Sequence, residues 1–365
     1  MVRETSSLGN PRRGRRRGGG QESLRASGLS LGYVNRTFEQ FAWIQIRSWV
    51  GGRLAGARRG ALALTVVALV YSVSATAQAA SSDRAIKACL IARMAPGPRL
   101  VVYGSSRAAK LEPSYLGSLL GESAFNASVS SATPEATWAF AHLAHDQAGS
   151  RPARALWLLD IESLRPHPFD ASLLQIPTLA RSFMASGGVV RPAPETIHGL
   201  ASARCSFTTS VSARYASDGF RARDFHDVAA ARGLTLSQGL GFAITRYRRI
   251  YQSGYPRISP EQVAWVARTI RAFNSWGIRP VIVLTPAHPT FLRALGPLGW
   301  NRRHAEVLRM LRNLRARFTL LDASHISTFG GLTDEFYDGV HMRVENMRRL
   351  AAWIVRQARG DLTGP

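Results

Sequence analysis

Two short segments of this sequence carry residue types that can run nucleophilic chemistry. The first, Gly104-Ser105-Ser106-Arg107, directly follows the apolar run Leu100-Val-Val-Tyr103. A serine there stands at the carboxyl end of a strand, on a tight turn whose backbone N–H groups can stabilise an oxyanion. The glycine permits the turn. An ordinary serine-rich turn carries the same residues. The second segment, Tyr337-Asp338-Gly339-Val340-His341, precedes the last helical stretch. Asp and His three residues apart can face the same way on one turn, so that the carboxylate holds the imidazole in the tautomer that accepts a serine's proton. Here the alternative is Asp338 as a helix cap and His341 as a packed histidine. Together the two segments point to Ser106 as nucleophile, His341 as base and Asp338 as orienting acid. Arg107 is open between a substrate-carboxylate contact and a structural salt bridge. Thr285 and His288, in Thr285-Pro-Ala-His288-Pro, are candidates for a substrate-facing loop, with a plain loop histidine as the alternative for His288.

The elements that must position these residues alternate. Apolar runs at Leu100–Tyr103, Ala124–Asn126, Ala155–Asp160, Pro280–Leu284 and Phe318–Asp322 are nearly continuous, as expected for parallel strands buried on both faces. Between them lie helical patterns. Pro134–Ala148 follows Thr133, a good N-cap with Pro at the first helical position. Ser259–Trp276 opens on Ser-Pro, and Asn301–Arg317 and Val344–Gln357 complete the set. The alternation predicts an α/β fold, a three-layer α/β/α sandwich with a mostly parallel five-stranded sheet, in which sites form at the carboxyl ends of the strands. Residues 165–255 break the pattern and read as a largely helical insertion over the site. Its Arg246-Tyr-Arg-Arg-Ile-Tyr251 run is either a grip for an anionic glycan or a Tyr/Ile helix face with solvated arginines.

The Gly-x-Ser block and the Asp-x-x-His block resemble the first and last blocks of the SGNH (GDSL-type) hydrolase superfamily, over about residues 97–160 and 278–358. Phe125-Asn126-Ala-Ser128 resembles its second block. The resemblance implies a flavodoxin-like sandwich, with esterase, lipase or acyltransferase chemistry on Ser106, His341 and Asp338. It also implies an oxyanion donor from the backbone at Ser128, where the family has glycine. Ser105 stands where the family has aspartate. Leu159-Asp160-Ile161-Glu162 replaces the family's Gly-x-Asn-Asp, so a side-chain oxyanion donor is missing, and Asn126 is the residue that could replace it. A Gly-Ser-Ser opening with an altered third block is similar to exported, membrane-tethered members that handle acyl groups on surface polymers.

Composition narrows the setting. The 365 residues carry a net charge of +24, and lysine occurs only at Lys87 and Lys110, so the cations are almost all arginine. The arginines follow no recognition motif, which argues against nucleic acid; a general preference for arginine over lysine is one explanation, and a basic surface facing an anionic envelope or polysaccharide is the other. Residues 1–59 form an Arg/Gly-rich region expected to be disordered, with a possible amphipathic helix at Phe38–Val50. Residues 60–80 join a charged flank, an apolar stretch and Ala77-Gln78-Ala79, which reads as a signal peptide or a single transmembrane anchor. The expected domain is therefore 81–365, extracytoplasmic, in the periplasm or at the cell surface. Cys89 and Cys205 show no metal-ligand spacing, and whether they pair is open. No metal or cofactor is expected, because the chain has no ligand cluster, phosphate-cradling loop or dinucleotide fingerprint. A conventional α/β-hydrolase is disfavoured, since its acid lies far before the histidine. The expected function is a serine esterase or O-acyltransferase; the alternative is a weak or inactive protein of the same fold that binds an envelope glycan or an assembly partner.

Overall fold

A computed structural model of the protein describes residues 83–146, 151–187 and 214–363. The N-terminal region and the apolar segment 60–80 lie outside them. Five strands, β1 (Leu100–Gly104), β2 (Ala124–Asn126), β3 (Arg154–Leu159), β4 (Val281–Leu284) and β5 (Thr319–Asp322), pair in the order β2-β1-β3-β4-β5, every pair parallel. All residues of β1 to β4 are buried, and β5, at one edge, is half-buried.

The period of two along each strand divides the core into two halves. Val101 and Tyr103 of β1, Trp157 and Leu159 of β3 and Ile282 and Leu284 of β4 face one side. There they meet α1 (Asp83–Arg93), α3 (Pro134–His145) and α7 (Pro260–Ser275) through residues such as Ile91, Phe140 and Phe273. Leu100 and Val102, Leu156 and Leu158, and Val281 and Val283 face the other. That side holds Leu116 of α2 (Pro113–Leu120) and Leu350 and Ile354 of α10 (Val344–Gln357). This is the expected α/β/α sandwich.

The expected helix starts are present. The Thr133 hydroxyl accepts from the Ala136 N–H, with Pro134 at the first position, and the Ser259 hydroxyl accepts from the Gln262 N–H ahead of α7. Two ends differ. α9 (Asn301–Arg312) stops well before Arg317, because the Asn274 side chain accepts from the Arg317 N–H at 2.8 Å and donates to its carbonyl at 2.7 Å, diverting the chain into β5. β3 ends at Leu159, one residue early, which leaves Asp160 outside the ladder.

The insertion contains α4 (Pro177–Ala185), α5 (Phe225–Ala231) and α6 (Leu236–Arg249), with residues 188–213 outside the description. A tight turn before α5 packs on β2. The Asn126 N–H donates to the Asp218 carbonyl, and Gly219, at φ +78, brings its backbone so close that a Cβ would lie 2.4 Å from the Asn126 carbonyl oxygen. Only glycine fits there. Tyr247 and Tyr251 turn inward, while Arg246, Arg248 and Arg249 are exposed, so the basic-aromatic run is a buried tyrosine face with solvated arginines. Among the described residues no helix is long and apolar enough to cross a membrane. Cys89 is disulfide-bonded; Cys205 falls outside the described residues.

Candidate active site

β1 and β3 are neighbours, yet β1 connects to β2 on its other side. The strand order therefore reverses between β1 and β3, the place where an open parallel sheet leaves a crevice at its carboxyl edge. Ser106 sits there. Gly104 ends β1 at φ +153, and a Cβ on it would lie 2.8 Å from the Leu158 carbonyl oxygen, so the bend needs glycine. Ser105 caps the following 3-10 turn by accepting from the Arg107 N–H at 3.1 Å. Ser106 opens that turn, and its N–H is one of those a helical turn leaves without an internal partner.

The Ser106 hydroxyl lies 2.9 Å from Nε2 of His341, and Nδ1 of His341 lies 2.8 Å from Oδ2 of Asp338. The other carboxylate oxygen of Asp338 accepts from the N–H groups of Val340 and His341, each at 2.8 Å. Burial alone would raise the Asp338 pKa, but the His341 and His226 imidazoles and these N–H groups together hold it well below the carboxylate range. An ionised Asp338 accepts the Nδ1–H, which leaves the Nε2 lone pair facing Ser106, the tautomer a general base requires.

The loop that carries Asp338 and His341 is braced on three sides. The Tyr337 N–H donates to the His341 carbonyl, and the His288 N–H donates to the Gly339 carbonyl at 2.9 Å. Gly339 has no room for a side chain, since a Cβ would lie 2.3 Å from the Phe291 ring. Gly239 of α6 packs its backbone against the same loop, where a Cβ would lie 2.3 Å from the Tyr337 carbonyl oxygen. The Tyr337 hydroxyl bonds Asp227, which in turn is paired with Lys110. The insertion thus clamps the acid-base loop.

The remaining expected site residues are held by contacts within the fold. Asn126 is fully buried; its amide N–H groups go to the Ala108 and Leu111 carbonyls at 2.9 and 2.8 Å, and its carbonyl oxygen accepts from Lys87 and from the Ser128 N–H at 2.9 Å. Both expected oxyanion donors, the Asn126 side chain and the Ser128 N–H, are therefore committed to bracing the nucleophile turn from behind. Arg107 lies at the centre of a buried knot. It donates to Glu162 at 2.8 Å, to Tyr247 at 3.0 Å and to Thr285 at 3.1 Å, and its Nε lies 3.7 Å from Asp160. Burial would lower the pKa of this guanidinium, but Asp160 and Glu162 keep it charged. Of the two readings of Arg107, the salt bridge is present, made with Asp160 and Glu162. Thr285 is closed into the same knot, donating to Asp160 at 2.9 Å. His288 caps α8 (Pro289–Leu295) by accepting from the Thr290 N–H at 3.0 Å. Burial, the largest influence on it, lowers its pKa.

One residue next to the triad was not among the expected ones. His226, at the start of α5, packs against His341 with ring centroids 4.0 Å apart and planes tilted by 35°, and its Nδ1 lies 4.0 Å from Asp338. Burial and the neighbouring His341 lower its pKa to about 4. No spacing rule signals it, because the partners it meets lie in a distant part of the chain. Tyr247 was legible only as part of the basic-aromatic run. No family model matches the sequence, and no curated protein matches it.

Proposed function

We propose that the protein is an extracytoplasmic serine esterase or O-acyltransferase of SGNH type, acting on acyl esters such as those of envelope polysaccharide. The observation that carries this reading is the unbroken chain Ser106–His341–Asp338 at 2.9 and 2.8 Å, at the carboxyl edge of a parallel sheet beside its switch point. In the reaction, Ser106 Oγ bonds to the acyl carbonyl carbon as its proton passes to His341 Nε2. The charge that forms on His341 is balanced by Asp338. The tetrahedral intermediate collapses, the ester C–O bond breaks, and His341 returns the proton to the departing alcohol. Water or a sugar hydroxyl then attacks the acyl-serine by the same steps in reverse. The Ser106 N–H, at the start of its turn, is the donor we assign to the oxyanion. An exported setting rests on residues 60–80, and retention of that segment would hold the domain at a membrane.

A second reading has its own support. With Asn126 and Ser128 committed elsewhere, the oxyanion receives fewer donors, and each missing one costs roughly 10²–10³ in rate. That favours a weak enzyme, or a glycan- or partner-binding protein that keeps the triad as structure. Fluorophosphonate labelling of the full chain separates the two. An esterase or transferase labels, and loses the label in Ser106→Ala and His341→Ala. A folded parent that takes no label supports the binding protein.

A further inference from the structure

His226 is an imidazole without an evident task. It is delivered to the triad by the insertion, and its backbone is fixed there: its own N–H and that of Asp227 donate to the Asp224 carboxylate, while the Asp227 side chain is held by Lys110 and Tyr337. Yet neither of its ring nitrogens is hydrogen-bonded to a described residue; the Asp338 carboxylate lies 4.0 Å from its Nδ1. The side chain is only about one-fifth exposed. An oriented, half-buried imidazole with free nitrogens, beside a carboxylate and a second imidazole, is the donor set of a borderline transition-metal ion.

The distances suit it. One donor atom from each of His226, Asp338 and His341 lies within 4.8 Å of the other two, and the Asp338–His341 pair is already at 2.8 Å. A tetrahedral Zn²⁺ with ligands at about 2.0–2.1 Å needs its donors roughly 3.3 Å apart, so forming the site asks the His226 ring to close by about 1 Å and the Asp338–His341 pair to open by about 0.5 Å. Three protein ligands leave the fourth position to solvent, the pattern of an open rather than a structural site.

We propose that His226, Asp338 and His341 form a binding site for a divalent ion such as Zn²⁺, and that the ion switches the triad off. The consequence for catalysis rests on the serine-hydrolase reading above; the binding itself does not. Coordination through His341 Nδ1 displaces the ring's single proton, which moves to Nε2 and faces Ser106. Coordination through Nε2 takes the lone pair that Ser106 needs. Either way the Nε2 lone pair is lost to a proton or to the ion, and the serine loses its acceptor.

The test uses the full-length protein and Zn²⁺ alone. Equilibrium dialysis compares the parent with Ser106→Ala, His226→Ala and His226→Phe, the last of which keeps a ring against His341 without a ligand atom. The parent and Ser106→Ala should bind one more Zn²⁺ than either His226 variant. Zn²⁺ should slow fluorophosphonate labelling of the parent on the order of 10²-fold, reversibly on chelation, while labelling of the His226 variants proceeds at the same rate with and without the ion. Equal Zn²⁺ stoichiometry in the parent and a folded His226→Phe overturns the site. His226-dependent binding in a parent that never labels upholds the site and defeats the hydrolase reading. Labelling that ignores bound Zn²⁺ overturns the switch.

Discussion

Replacing Asp338 by Asn separates the orienting role of this residue from its place in the loop. The asparagine carbonyl can still accept from the Val340 and His341 N–H groups, both now at 2.8 Å, so the turn is expected to survive. What changes is the group opposite His341 Nδ1. In the parent that group is an acceptor at 2.8 Å. With the carbonyl held by two N–H groups, the amide NH₂ faces the ring and requires Nδ1 to accept. The ring proton then moves to Nε2, pointing at Ser106, and the base is in the wrong tautomer. By analogy with other triads this costs about 10⁴ in rate, or about 5 kcal/mol of barrier. The assay is the second-order rate of fluorophosphonate labelling, with thermal unfolding in parallel. The acid limb of stability should change as well. Asp338 has its folded pKa depressed below the usual 3.8, so it contributes stability above that pH which fades as pH falls further. The variant should lack that extra loss in acid. A well-folded Asp338→Asn that labels within about tenfold of the parent would refute the tautomer argument.

Two further outcomes test the framework around the triad. Arg107→Ala should destabilise the protein by about 3–5 kcal/mol, because it strands the buried Glu162 and its neighbour Asp160 without their cation; a change in urea midpoint worth less than about 1 kcal/mol would remove the knot from the stability argument. Lys87 is fully buried and burial, only partly opposed by Asp83, lowers its pKa to about 7. Its folded pKa lies below its unfolded one, so the unfolded chain binds the extra proton and the parent gains stability as pH rises from about 7 towards 10.5. The Tm of Lys87→Met relative to the parent should therefore fall steadily across that window, and a difference that does not vary with pH would show that Lys87 is not desolvated.

Local signals in this sequence were sufficient for the layers and for two parts of the triad. Continuous apolar runs mark strands buried on both faces, Ser-Pro and Thr-Pro mark helix starts, and Asp338 and His341 meet within one turn, so their contact depends on nothing distant. Ser106 was legible for the same reason, since its position follows from the strand just before it. The juxtaposition of Ser106 with His341 was an expectation that only the folded sheet could meet, as the two are 235 residues apart. Tertiary structure alone decided how the intervening donors are spent. Asn126 carries the same amide whether it faces an oxyanion or the Ala108 carbonyl. Arg107 carries the same guanidinium whether it meets a substrate or Glu162. Buried polar groups must find partners, and which partner is within reach depends on contacts between distant segments that no local pattern encodes. His226 is the clearest instance: nothing near it in the chain distinguishes it, and its place against Asp338 and His341 comes from α5 and α6 folding across the carboxyl edge of the sheet.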